Sequence, residues 1–137
     1  MIGAMLYWGE GYKGSHESPA GLVDFANSDP EMIQMFLKFL RAVFYLDESK
    51  FRVYLYCHSN QNLKDIMDFW SNLTSIPITQ FSKPYIKKDF GSKRVMSHGL
   101  VHIRYYDKKL LLEIKKMIDS YKFIYLRRSD SGYSSRL

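Results

Sequence analysis

Phe51-Arg-Val-Tyr-Leu-Tyr-Cys-His58 alternates without a break: Phe51, Val53, Leu55 and Cys57 form one face, and Arg52, Tyr54, Tyr56 and His58 the other. A period of two is the signature of a β-strand with one buried face. The pattern returns at Leu100–Tyr106, where Val101, Ile103 and Tyr105 oppose His102, Arg104 and Tyr106. Two strands that share an apolar face and a basic-aromatic face predict a half-buried sheet, covered on one side only.

Helical patterns surround these strands. Ser28-Asp29-Pro30-Glu31 is a helix start: Ser28 or Asp29 caps free amides, Pro30 suits the first turn and Glu31 suits the dipole. The helix it opens carries Met32, Ile33, Phe36, Phe39, Leu40 and Val43 at helical spacing. Ser59 or Asn60 is the expected cap of a second helix through Leu63, Ile66, Met67, Trp70 and Leu73, and Asp107 of a last one through Leu110, Leu111, Ile114, Met117 and Ile118. Residues 21–27 read as a further strand, and Asp47–Lys50 as a turn. The expectation is an α+β domain over residues 1–126, an antiparallel sheet with helices packed on one face and the other face open. Residues 127–137, rich in Ser and Arg, are expected to form a mobile basic tail.

Composition narrows the function. The 137 residues are 46% hydrophobic and 16% aromatic, with eleven tyrosines and nine phenylalanines, which excludes a disordered chain. One cysteine, Cys57, excludes an internal disulfide and suits a reducing compartment; its place on the apolar face makes it a core residue. No run is long and apolar enough for a membrane span, and no signal peptide is recognised, so a soluble cytoplasmic protein is expected. The sequon Asn72-Leu73-Thr74 is then a chance match. A net charge of +6 favours a polyanionic partner.

Double-stranded DNA would find its contacts on the polar strand faces, at Arg52, Tyr54, Tyr56, His58, His102 and Arg104, and on the basic residues Lys13, Lys88, Lys93 and Arg94. A solvated sheet face explains the same residues, and the two readings stand side by side. An RNA-binding module, with tyrosines stacking bases, is a third. Asp24 and Asp29 flank a strand end, and Asp29 is accounted for as a cap. His16-Glu17 and His58 have no zinc-site spacing.

The N-terminus holds Leu6-Tyr7-Trp8-Gly9-Glu10-Gly11, an acid between two glycines after an apolar stretch that makes about two helical turns. From the residues alone Glu10 is a metal ligand, a helix-end residue or part of a turn. The order of features then becomes informative: a short helix ending in Gly-acid-Gly, a strand, Asn27-Ser28-Asp29-Pro30, an amphipathic helix, a clear strand, another helix and a Lys-containing extended stretch. This order resembles the LAGLIDADG homing endonuclease fold, in a prokaryotic branch carrying "LYWGEG…K" and "NSDP". Gly3–Gly11 lies on the nine-residue motif, and Gly9-Glu10-Gly11 stands for its terminal Ala/Gly-Asp-Gly.

The resemblance implies a homodimer joined through the motif helices, with Glu10 holding a divalent metal, Mg2+, over the scissile phosphate. It implies Lys83 or Lys87 as the charge-stabilising catalytic lysine and places Asn27–Asp29 where water is positioned and DNA is met. With one motif per chain, cleavage of both strands requires two copies on a roughly palindromic site. The implied function is metal-dependent phosphodiester hydrolysis; the alternative is a DNA-binding regulator or remnant on the same fold that does not cleave. Glu10 replaces the usual Asp, Met5 and Trp8 are bulkier than the motif prefers, and the segment after Gly91 has no place in a minimal half-domain.

Overall fold

A computed structural model describes residues 2–11, 21–88 and 97–127. The elements run α1 (Ile2–Glu10), β1 (Leu22–Asn27), α2 (Pro30–Val43), a 3-10 turn (Glu48–Lys50), β2 (Arg52–His58), α3 (Leu63–Thr74), a second 3-10 turn (Ile78–Gln80), β3 (Tyr85–Lys87), β4 (Leu100–Tyr106) and α4 (Lys108–Lys122), which ends in a π turn (Phe123–Arg127).

The caps explain most boundaries. Asp29 Oδ1 accepts the Glu31 amide at 2.9 Å and opens α2, while Asp107 Oδ1 accepts the Lys109 and Leu110 amides at 2.9 and 3.1 Å and opens α4. The cap of α3 is Asn62, whose Oδ1 accepts the Asp65 amide at 3.2 Å, and not Ser59 or Asn60 as expected. Asn62 lies one residue before the helical spacing begins, whereas His58-Ser59-Asn60-Gln61 form a turn in which Gln61 Oε1 accepts the His58 amide at 2.8 Å.

The strands form one sheet in the order β1-β4-β2-β3. β4 runs antiparallel to both β1 and β2, but β3 pairs parallel with β2. The sheet is therefore mixed, which corrects the antiparallel expectation. The cause is α3: a helical crossover from β2 returns the chain to the same end, so β3 enters in the same direction. The segment after Gly91 is also no appendage. It supplies β4, which lies between β1 and β2, and α4, which packs on α1 and β1.

The core lies between the sheet and the helices. Val23 and Phe25 of β1, Val53 and Leu55 of β2, and Val101 and Ile103 of β4 are buried with Ile33, Phe36, Leu40 and Ile114 from the helices. Phe36 stacks on Phe25 at 4.2 Å and on Tyr7 of α1 at 5.7 Å. Cys57 belongs to the same buried set. α1 thus joins the core through Gly3, Ala4 and Tyr7, and the chain leaving it passes Gly11 along β1, bridging Phe25 in the antiparallel sense. No helix among the described residues is long and apolar enough to cross a membrane.

Candidate nucleic-acid interface

Register fixes which side chains share the open face of the sheet. Arg52 pairs with Arg104, Tyr54 with His102, Tyr56 with Tyr85, His58 with Lys87, and Asp24 with Arg104. Paired residues project to the same side. All of these except Asp24 keep partial or full exposure.

The structure thus brings Arg52, Tyr54, Tyr56, His58, His102, Arg104 and Lys87 onto one surface. Tyr54 and Tyr56 meet edge to face at 5.1 Å, and Tyr56 lies 5.1 Å from Tyr85 and 5.5 Å from His102. Burial, followed by the neighbouring Tyr54, raises the Tyr56 phenol above its ordinary pKa, so it remains a neutral donor.

Two arginines directly opposite each other repel unless an anion intervenes. Here they are treated differently. Arg104 Nε donates to Asp24 Oδ2 at 3.1 Å and its guanidinium lies 4.8 Å from the Tyr54 ring centre. Arg52 Nη1 donates to the carbonyls of Ser49 and Phe51, both at 2.7 Å, and meets no carboxylate among the described residues. Asp24 also accepts from or bonds His102 Nδ1 at 2.9 Å. The sequence reading set Asp24 at a strand end and gave it no partner; it lies inside β1. The signal was present as a lone acid inside the apolar strand Leu22–Asn27, and register alone reveals its partners.

Asn27 is not on this surface. It shares the helix-side face with Val23 and Phe25, and its Oδ1 accepts the Asp29 amide at 2.8 Å in the turn that enters α2. Lys88 is exposed just after β3, beside the open face. Lys13, His16, Glu17, Lys93 and Arg94 lie outside the described residues.

Glu10 is exposed at the last position of α1, next to the β1 edge marked by Gly11. Lys83 and Lys87 are exposed on and before β3, at the opposite edge. Three strand spacings of about 4.8 Å separate those edges, roughly 14 Å. One chain therefore does not bring either lysine to Glu10. Among the described residues no group of three His, Cys, Asp or Glu side chains is arranged to hold a metal ion. A lone exposed carboxylate does suit magnesium, which is commonly held by one or two carboxylates and the phosphates of its substrate.

The outward strip of α1 is apolar. Ile2, Met5 and Trp8 are exposed, and among the described residues nothing beyond its chain neighbours and its own helix backbone lies within 4 Å of where a side chain at Gly9 would begin. The Lys122 ammonium stands 4.5 Å from the Trp8 ring centre, and a shallow groove beside it is lined by Ile2, Met5, Leu6 and Tyr125. Comparison of the chain with protein-family models, curated proteins and solved structures finds no match.

Proposed function

We propose that this chain binds double-stranded DNA on the open face of its sheet and acts as the subunit of a homodimeric, magnesium-dependent endonuclease of the LAGLIDADG-like kind. The observation that carries the reading is the gathering of Arg52, His102, Arg104 and Lys87 with four tyrosines, Tyr54, Tyr56, Tyr85 and Tyr106, on one open sheet face. Arg104 is already paired with Asp24, whereas Arg52 meets no carboxylate among the described residues, so a phosphate backbone would supply the counter-charge that Arg52 lacks.

Support for the fold resemblance comes from the element order. The motif helix is followed by Gly11 bridging the β1 edge, helices cover one sheet face, and β4 returns between β1 and β2. Support for self-association comes from Gly9. A glycine inside a helix costs roughly 0.5–1 kcal/mol relative to alanine, and nothing within the described chain requires it. A second α1 packed closely on this strip supplies the reason. Glu10 would then be presented by both copies. Glu10 would hold a divalent metal there, which would supply charge stabilisation for phosphodiester hydrolysis, while the sheet face would fix the duplex.

A second reading, a DNA-binding protein that does not cleave, is favoured by the separation of Lys83 and Lys87 from Glu10. Supercoiled-plasmid nicking in magnesium distinguishes the two. The nuclease reading expects nicking by the wild type and its loss in Glu10→Gln, with DNA affinity retained in both. Equal nicking by the two proteins removes Glu10 from the chemistry, and binding without nicking selects the second reading.

A further inference from the structure

Asp24 is the only charged residue buried among the described residues, 8% exposed. A buried carboxylate is costly unless paired, and a buried ion pair is commonly no more stabilising than apolar side chains of the same size. Its buried place on the open face of β1 is therefore better explained by what it holds.

What it holds is one edge of Arg104. The contact is made by Nε, at 3.1 Å, and not by the terminal amino groups. The Tyr54 ring supports the guanidinium from its face at 4.8 Å. His102 closes the other side of the carboxylate, with Nδ1 at 2.9 and 3.2 Å from its two oxygens. Arg104 is thus fixed in plane and in rotation, with Nη1 and Nη2 engaged by no described group.

A phosphate contact needs none of this. Phosphates reward positive charge with little regard for orientation, and a counter-carboxylate weakens the attraction. Arg52, with no carboxylate partner, suits that role. A neutralised arginine with a rigid, planar, free fork suits a guanine, whose O6 and N7 accept two parallel bonds in the major groove.

We propose that Asp24 is a positioning residue for sequence recognition, presenting the free fork of Arg104 to a guanine edge. This rests on the DNA-binding reading above.

The experiment is selection of randomised duplexes by the full chain, followed by binding assays with Arg104→Lys and Asp24→Asn. Selected sites are expected to carry a fixed guanine, whose replacement by adenine weakens wild-type binding roughly 5- to 150-fold. Arg104→Lys should weaken that preference well beyond any loss of low-salt, non-specific affinity, because the charge is kept but the planar two-donor fork is not. Asp24→Asn should also lose the preference, yet bind non-specific DNA as well as the wild type or better, because a negative charge is removed. A merely structural role would lower both affinities together, and that result overturns the proposal. So does a full guanine preference in either variant, or selected sites without a fixed guanine. Arg104→Lys leaves the buried acid paired and keeps the test sound if Asp24→Asn unfolds. A wild type that binds no duplex at low salt removes the DNA-binding reading as well.

Discussion

The ring of Phe39 on α2 occupies the space that a side chain at Gly3 of α1 would need: an added Cβ would overlap the Phe39 ring and its Cβ. The first glycine of the motif-like stretch is thereby a packing residue between two helices. Gly3→Ala gains about 1 kcal/mol of helix propensity, but overpacking a core typically costs about 1–3 kcal/mol. Since the obstacle is a ring root and not a flexible tip, the steric cost is expected to win. Urea unfolding should show a lower midpoint for Gly3→Ala, and an unchanged or higher midpoint refutes the close packing of α1 on α2.

Gly9 makes the opposite prediction. Nothing stands near its missing side chain, so Gly9→Ala should stabilise the monomer by about 0.5–1 kcal/mol. If a second α1 approaches there, the same methyl group holds the helices apart. Sedimentation velocity should then show weaker self-association in a protein that is itself more stable. Association equal to the wild type would place any dimer interface elsewhere.

The unevenness of what the sequence revealed has a physical basis. β2 and β4 were legible because alternation is local, and α2 and α4 because a cap and a 3.6-residue period lie within a few residues of each other. The direction of β3 was not legible. Three exposed residues, Tyr85–Lys87, carry no period, and parallel pairing depends on where α3 delivers the chain. Alternation placed the polar residues of β2 and β4 on one open face, but not Tyr85, Lys87 or the organising acid. Asp24 and Arg104 are 80 residues apart, and only the β1–β4 register brings them together. Lys83 and Lys87 show the reverse error. The family resemblance implied that one of them acts beside Glu10, and strand order put them on the other edge.

Cys57 tests the assignment of the helix-side face. It is 4% exposed, and burial raises its thiol above the ordinary value. A raised folded-state pKa means that its contribution to stability is complete below the unfolded value, about 8.5, and is lost as pH rises through the folded value. Iodoacetamide at pH 8 should therefore label native protein far more slowly than urea-unfolded protein. Equal rates would take Cys57 out of the core and reverse the register of β2.

The separation of Glu10 from the β3 lysines gives the sharpest functional prediction. Lys87 shares the open face with His58, on the edge strand remote from α1. Its charge would reach a duplex bound there, but not the carboxylate of its own chain. Lys87→Ala should therefore weaken DNA binding and reduce the slope of log affinity against log salt by about 1. At saturating DNA its nicking rate should equal that of the wild type. Glu10→Gln should do the reverse, with affinity retained and the saturated rate lost, since removal of a group used only in the reaction lowers kcat without weakening substrate binding. A saturated rate that falls in Lys87→Ala as it does in Glu10→Gln would mean that the two groups meet after all. Because roughly 14 Å of sheet separates their edges within one chain, that meeting would require a lysine from the second copy. Mixing the two inactive variants would then decide it, since a heterodimer with one intact pair would recover single-strand nicking, whereas groups acting within one chain would show no such rescue.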